Sequence, residues 1–493
     1  MIPYADFTYF GVLLLYVVVP TLILGVFGRA GWRWALFVTA LMLGIQYCGV
    51  LQIRPELPVR ELWILAGFAI WQWATVRVFA ALGARAGWLF YGAIALSALP
   101  LLATKLFPVI WPGTQFGFLG ISYVTFRALD LVFCLRDKVI TAPGALDLFM
   151  FLFFFPTISS GPIDRYRRFG PEWRRRRTRA EFLADLDAAV HRLFRGFLYK
   201  FIVAALIQQY WLEPAASSGS FRALLSYMYG YSFYLFFDFA GYSAFAIALS
   251  YLFGVHTPEN FNRPFLARNI RDFWNRWHIT LSFWFRDHVF MRFVLAAARG
   301  RWFASKNTAA VLGYFLAFGL MGFWHGIEPH YIIYGFYQAM LLAGFHVYSS
   351  WKQPQRSRRG APLRHALAVF VTFNFVCFGL LIFSGRIGAP PKPHHFSELE
   401  HAACSELYGW VWDKQRPNSV VDVDLWDGER LLVTFSADEF RQDLAEAGYG
   451  TGRHAFYIHP PNSIRDGRPH EIHLRIAGTK TELKNSPQVL VCH

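Results

Sequence analysis

Long apolar blocks decide what this chain can fold into. Tyr9 to Phe27, Trp34 to Leu51, Leu62 to Leu82 and Ala366 to Phe383 are each free or nearly free of charge. About 20 such residues cross the core of a bilayer as a helix. So many blocks cannot all be interior helices of one soluble core. The charged fraction agrees: 16% of residues, where a soluble domain carries about a quarter. The sequence therefore predicts an all-α polytopic membrane protein. Met1 to Phe7 lacks the basic start of a signal peptide, and the first apolar block is longer than a signal core. It is expected to be a retained spanning helix.

The formal net charge is +16, much of it in short connections between apolar blocks. The densest run is Arg165 to Arg179, with others at Lys352 to Arg364 and at Arg29 and Arg33. Short basic loops face the cytoplasm. That rule puts the N-terminus outside, and the region after the last apolar block outside as well. Nucleic-acid binding is the wrong reading of this charge, because basic juxtamembrane loops are ordinary topology signals. An added role in docking an acidic partner stays open.

Two regions separate along the chain. Residues 1–386 form the membrane part, 387–393 a Pro-rich linker, and 394–493 a region of different period. Leu407 to Trp412, Val420 to Trp426, Leu431 to Phe435, Ala455 to His459, Ile472 to Ile476 and Gln488 to Val491 are short alternating runs. Asp427-Gly428 and Asp466-Gly467 punctuate them as turns. This predicts a small all-β, sandwich-like domain. Cys404 and Cys492 bracket it, so a disulfide is possible in an oxidising compartment. Cys48, Cys134 and Cys377 lie in apolar blocks and read as core residues, and no CxxC or Cys/His metal spacing occurs.

Several apolar blocks of the membrane part are interrupted, at Pro108, Pro112 and Gly113 and again at Pro156, Gly161 and Pro162. Irregular backbone at membrane depth survives only against protein or a water-filled cavity. Tilted or re-entrant helices around a central cavity are expected, with roughly ten to twelve spanning segments. No internal repeat of a transporter kind is visible.

Four segments carry chemistry-bearing side chains. Gly322-Phe323-Trp324-His325-Gly326 lies between two apolar blocks. An ionisable group at that depth is a functional hypothesis, and imidazole can take a proton from a hydroxyl and return it to a leaving group. The glycines give a face open to a neighbouring helix or an extended substrate. A buried histidine satisfied by a carbonyl is the plainer alternative. Arg271 to His278 alternates charge with aromatic rings: Asp272, Trp274, Asn275, Arg276, Trp277 and His278. An interfacial belt would explain that composition equally well. Phe155 to Arg165 joins an aromatic block to the basic run and reads first as a surface turn. Asp238, alone in an aromatic block, needs a partner such as Arg or His. No GxSxG elbow, Walker loop or dinucleotide fingerprint occurs in a suitable context.

Taken in order, Phe118 to Arg127, the FPTISSGPIDRYRRF stretch, RDFWNRWHITLSFWFRDHVF, GFWHG and Phe375 to Gly385 resemble the membrane-bound O-acyltransferase family, closest to its D-alanyl-transferring branch. The resemblance covers about residues 5–386, and five ordered motifs are specific. It implies a ring of tilted helices around a central tunnel in a bacterial cytoplasmic membrane. It implies His325 as catalytic histidine and His278 as a second one. Asp238, Trp274, Asn275, Arg276, Trp277, Gly322, Trp324 and Gly326 would then lie along the tunnel. The donor would be a phosphopantetheine thioester on an acidic acyl carrier protein, docked on Arg165, Arg167, Arg168, Arg174 and Arg175. A thioester is already activated, so no metal or organic cofactor is expected. The acceptor would be an envelope polysaccharide or teichoic-acid-like polymer, directly or through a partner protein, beside membrane lipid. Polysaccharide O-acetyl transfer remains open, as does a proton-coupled transporter. The C-terminal region departs from the family and resembles small β domains appended to bacterial glycosyltransferases.

Overall fold

The computed structural model describes residues 3–4, 7–47, 60–82, 87–111, 117–351, 361–388, 395–414, 416–479 and 481–492. Cys48, Pro112, Gly113, residues 352–360 of the second basic run and residues 389–393 of the linker lie outside the described residues. The chain divides into two compact units. One comprises Met1–Leu212 with Ser226–Ala389, the other Glu213–Leu225 with Pro390–His493.

The first unit is helical. Among the described residues, six helices are long and apolar enough to cross a membrane: Phe7–Val26, Glu61–Ala81, Gly87–Ile110, Phe221–Leu252, Lys306–His325 and Pro362–Phe383. Hydropathy counted more segments because several apolar blocks do not make one long helix. Trp32–Tyr47 and Ile121–Arg136 have 16 residues each. The aromatic block ends its helix at Phe153 and continues as the tight turn Phe155–Thr157. Wider π turns interrupt the chain at Leu198–Ala204 and Gln208–Leu212, where an i→i+5 pattern shifts the helix face.

The Pro/Gly-rich stretch after Phe153 is not a surface turn. Phe155 to Ser159 and Ile163 to Asp164 are buried. This non-helical backbone needs donors, and a side chain from another helix supplies them. Arg127 is 1% exposed. Its Nη1 donates to the carbonyls of Phe151 and Leu152, both at 3.1 Å. Its Nη2 donates to the carbonyl and Oγ1 of Thr157, both at 2.6 Å. Phe151 and Leu152 are in the last turn of their helix, where carbonyls lack an intrahelical partner. Gly120, which starts the Ile121–Arg136 helix, is left-handed with φ 95°. A Cβ there would meet the Ile158 carbonyl at 2.5 Å, so only glycine allows the loop to approach.

One helical turn on from Arg127, Asp130 accepts from Arg165 Nη1 at 2.8 Å and pairs with His288 Nε2 at 2.9 Å. Three of the five motifs therefore meet at two buried side chains. Thr178 and Glu181 form a capping box that opens the Arg179–Phe197 helix, satisfying donors that would otherwise be free.

The second unit holds two antiparallel four-stranded sheets. They are built from β1 (His395–Ala402), β2 (Leu407–Asp413), β3 (Val421–Asp427), β4 (Arg430–Ala437), β5 (Glu439–Phe440), β6 (Arg453–Ile458), β7 (Pro469–Ile476) and β8 (Gln488–Val491). The orders are β1-β2-β6-β5 and β4-β3-β7-β8. Val411, Val423, Leu425, Phe456, Ile472 and Leu474 share one core, as the period-2 pattern requires. Asp427 pairs with Arg430 across the Gly428 turn. The Cys404 and Cys492 sulfurs are bonded, with Cα atoms 5.4 Å apart.

Arg127→Met keeps the side-chain length and removes the donors, leaving buried carbonyls unpaired at about 1–3 kcal/mol each. Purified protein in detergent should then melt several degrees lower, while Arg167→Met on the exposed face should not move. Equal melting temperatures for the two variants would remove Arg127 from the role given to it.

Candidate active site

His325 is the last residue of the Lys306–His325 helix. Its depth and aim are set by the next helix, Pro329–Trp351, which approaches without intervening side chains. A Cβ on Gly322 would lie 2.6 Å from the Tyr331 carbonyl, and one on Gly335 2.4 Å from that of Phe318. Backbones this close need small residues on both helices. The imidazole packs among rings, with centroids 4.5 Å from Trp324, 4.9 Å from Phe383 and 6.1 Å from Tyr331.

His278 reaches the same place from a broken helix. Asn269 caps Ile270–Trp274, accepting from the Asp272 amide at 2.9 Å. The chain then turns through His278 at φ 41°, ψ 52° and re-enters helix at Ile279. A left-handed non-glycine residue costs of order 1–3 kcal/mol and persists only where surroundings enforce it. Asn260 is the enforcing residue. Its carbonyl accepts from the Ile279 amide at 2.9 Å. Its side-chain oxygen accepts from Thr280 Oγ1 at 2.6 Å, and its Nδ2 donates to Ser243 Oγ at 3.2 Å. Thr280 Oγ1 in turn accepts from the Ile163 amide at 3.0 Å. One buried asparagine thus couples the His278 turn to the Phe221–Leu252 helix, and through Thr280 to the buried loop.

The two histidines line one cavity of about 180 Å³. Its walls are Tyr123, Leu235, Phe239, Trp274, Trp277, Leu281, Met321, Trp324, Tyr334, Leu380 and Phe383. His278 Nδ1 and Trp324 Nε1 are buried with no hydrogen-bond partner among the described residues. Buried polar atoms are almost always paired. Two unpaired ones on a single apolar cavity mark where a polar substrate group would be held.

Of the residues expected along a tunnel, Trp274, Trp277, His278, Trp324 and His325 are brought together. The others are not. Asn275 is exposed at the end of its short helix. Arg276 Nε is paired with Asp272 Oδ1 at 2.7 Å, one turn back on the surface. Asp238 pairs with Lys200 rather than with an arginine or histidine. Gly322 serves helix packing, and Gly326 lies past the helix end in extended backbone, so the two glycines share no helix face. Spacing alone missed Tyr123, Phe239, Tyr334 and Phe383. Tyr123 and Phe383 stand inside quoted motifs, whereas Phe239 and Tyr334 carry no signal beyond being aromatic.

Much of the basic run is paired within the fold. Arg165 is 18% exposed and bound to Asp130, Asp287 and His288. Arg168 bridges Asp164 and Glu172. Arg174 pairs with Asp147 at 2.6 Å and Arg175 with Glu181 at 2.8 Å. These cations hold the fold's own carboxylates and offer little free charge to a partner. Arg167 and Arg176 are exposed and make no ion pair among the described residues.

Residues 81–384 match the profile of MBOAT, the membrane-bound O-acyltransferase family. A teichoic acid D-alanyltransferase of Bacillus subtilis is 41% identical over 407 residues, 80% of this chain and the whole of that protein. One from Streptococcus thermophilus is 42% identical over 318 residues, 60% of this chain and 76% of that protein. A probable alginate O-acetylase of Pseudomonas syringae is 30% identical over 232 residues, 46% of this chain and 42% of that protein. A matched span longer than half the chain, ending one residue past the wall residue Phe383 and enclosing both histidines, leaves one assignment: this chain belongs to the membrane-bound O-acyltransferase family.

Proposed function

We propose that this protein transfers a D-alanyl group from a carrier-protein thioester to a hydroxyl of a cell-envelope polymer, with His325 as general base. The observation that carries the reading is the small aromatic cavity with two imidazoles on its wall. Ordinary ligand pockets run from about 300 to 1,000 Å³. A space of about 180 Å³ takes the reacting ends of two substrates and a short acyl group. The resemblance to D-alanyltransferases over most of the chain supports the same choice, and the lower identity and coverage of the O-acetylase ranks acetyl transfer second.

The step balances with these groups alone. A nitrogen of His325 takes the acceptor hydroxyl proton as the oxygen attacks the thioester carbonyl. The new C–O bond forms, the C–S bond breaks, and the proton passes from the imidazolium to the departing thiolate. Proton transfer of this kind contributes roughly 10²–10⁴ in rate. Holding both ends in one cavity contributes more through proximity. Trp324 Nε1–H is free to donate to the oxygen on which charge develops. Because the thioester is activated, the reading requires no metal or organic cofactor.

The protein is multi-pass, and we place it in a bacterial cytoplasmic membrane with the Arg165–Arg179 side inward. The support is the concentration of cations there. An acidic carrier would approach that face and meet Arg167 and Arg176.

Purified protein in lipid, given carrier bearing labelled D-alanine and membrane extract as acceptor source, should move label into polymer. His325→Ala should lower the rate by about 10²–10⁴ at unchanged melting temperature. Equal activity would take His325 out of the mechanism, and absence of transfer by wild type followed by turnover of an acetyl donor would establish the second reading. In the same assay, Arg167→Glu with Arg176→Glu should raise KM for carrier and leave kcat unaltered. An unchanged KM would place carrier docking elsewhere.

A further inference from the structure

A second cavity, of about 440 Å³, lies beside the first and is lined by three arginines. Arg192 and Arg195 come from the Arg179–Phe197 helix, and Arg263 from the loop that carries Asn260. Arg192 is committed, with Nη1 2.6 Å from Glu259 Oε1. Arg195 and Arg263 are exposed and make no ion pair among the described residues. Arg263 is also left-handed, φ 46° and ψ 56°, immediately before Pro264. Strain of that kind is maintained where function uses it. The cavity therefore presents two free guanidinium groups, the donor geometry that suits phosphate oxygens.

Its position narrows the ligand. The loop behind it is held by the basic run. Arg177 donates to the carbonyls of Tyr251 and Leu252 at 3.0 and 2.7 Å, and Arg168 donates to that of His256. Glu259 to Arg263, which line the arginine cavity, follow His256 closely in the chain and so lie near the basic run. The arginine cavity is one ring from the histidine cavity. Phe239 packs at 5.1 Å against Phe261, which lines the arginine cavity, and at 4.8 Å against His278. Asn260 lines the arginine cavity and holds the His278 turn. A ligand spanning both places has an anionic phosphate at one end and a thioester at the other.

We infer that Arg195 and Arg263 form an anion subsite for the phosphodiester of the donor's prosthetic arm, setting its thioester toward His278 and His325. The inference rests on the carrier-thioester reading above. A phospholipid headgroup offers the same chemistry, so the test separates the two sources.

Binding of phosphopantetheine and of pantetheine, neither carrying an acyl group, would be measured by calorimetry on full-length protein in nanodiscs. Wild type should prefer the phosphorylated form by about 10-fold or more, the size of one lost charge-assisted hydrogen bond. Arg195→Gln and Arg263→Gln should reduce that preference toward one, and Arg195→Lys should keep part of it. A preference unchanged in both Gln variants overturns the subsite. So does the absence of any preference together with phospholipid that co-purifies with wild type and is lost in Arg195→Gln, which would give the cavity to lipid. The transfer assay separates the larger reading. Preference for the phosphorylated arm without D-alanyl transfer would leave the subsite standing and remove the proposed acyl group.

Discussion

The membrane unit depends on one requirement: backbone that leaves its helix at membrane depth must find donors inside the protein. Arg127 meets it. A single guanidinium, nearly fully buried, takes the carbonyls of Phe151, Leu152 and Thr157. Five donors in a fixed fork let arginine do this where lysine could not. The consequences run outward from that contact. With the loop fixed, Asp164 and Asp130 sit where Arg168 and Arg165 can neutralise them. The Ile163 amide is presented to Thr280, which shares its hydroxyl with Asn260. The left-handed turn at His278 is the last member of the chain, and it points an imidazole into the cavity.

The two histidines are held by different means. His325 depends on helix packing: glycines let two helices touch, and the imidazole sits at the end of one of them. His278 depends on a hydrogen-bonded network and pays in backbone strain for its position. No carboxylate pairs with either ring among the described residues. That differs from hydrolytic triads, where an aspartate fixes the tautomer of the histidine. Here aromatic walls hold the rings in place of a carboxylate.

Much of this was legible in the chain. Apolar block lengths gave the membrane unit, and alternation gave strands within a residue or two of β2, β3, β4, β6 and β8, and began three residues late in β7. The strands β1 and β5 were missed because Ser-Glu-Leu-Glu-His and Glu-Phe carry too little apolar signal. His325, His278 and three tryptophans were found because ionisable or amphipathic groups are conspicuous in apolar surroundings. Asn275 and Arg276 do not line the cavity, and sequence adjacency says nothing about which side of a short helix faces inward. The arginine run reads as free charge for a related reason. Formal charge counts cations without showing the carboxylates folded against them: Asp130 and Asp147 come from other helices, and Asp164, Glu172 and Glu181 border or interrupt the run itself. Asn260, the residue that shapes the site most, is one polar side chain in a loop and gave no signal at all.

The division of charge between the two cavities says what sort of donor the protein can use. An ion moved into an apolar interior without a partner is costly enough that it changes protonation or stays out. The cavity holding His278 and His325 has aromatic and aliphatic walls and no fixed charge. The neighbouring one has arginines. A donor whose phosphate lay next to the scissile bond would meet the apolar cavity with an unpaired anion. A donor with phosphate and thioester separated by a neutral arm keeps its anion among the guanidinium groups while the reactive carbon enters the apolar space. The same walls that exclude the charge also lower the local dielectric around the reacting atoms. There, a single well-placed N–H such as that of Trp324 is worth more than it would be in water. Binding and chemistry are thus divided along one path, with affinity drawn from the phosphate end and rate from the thioester end.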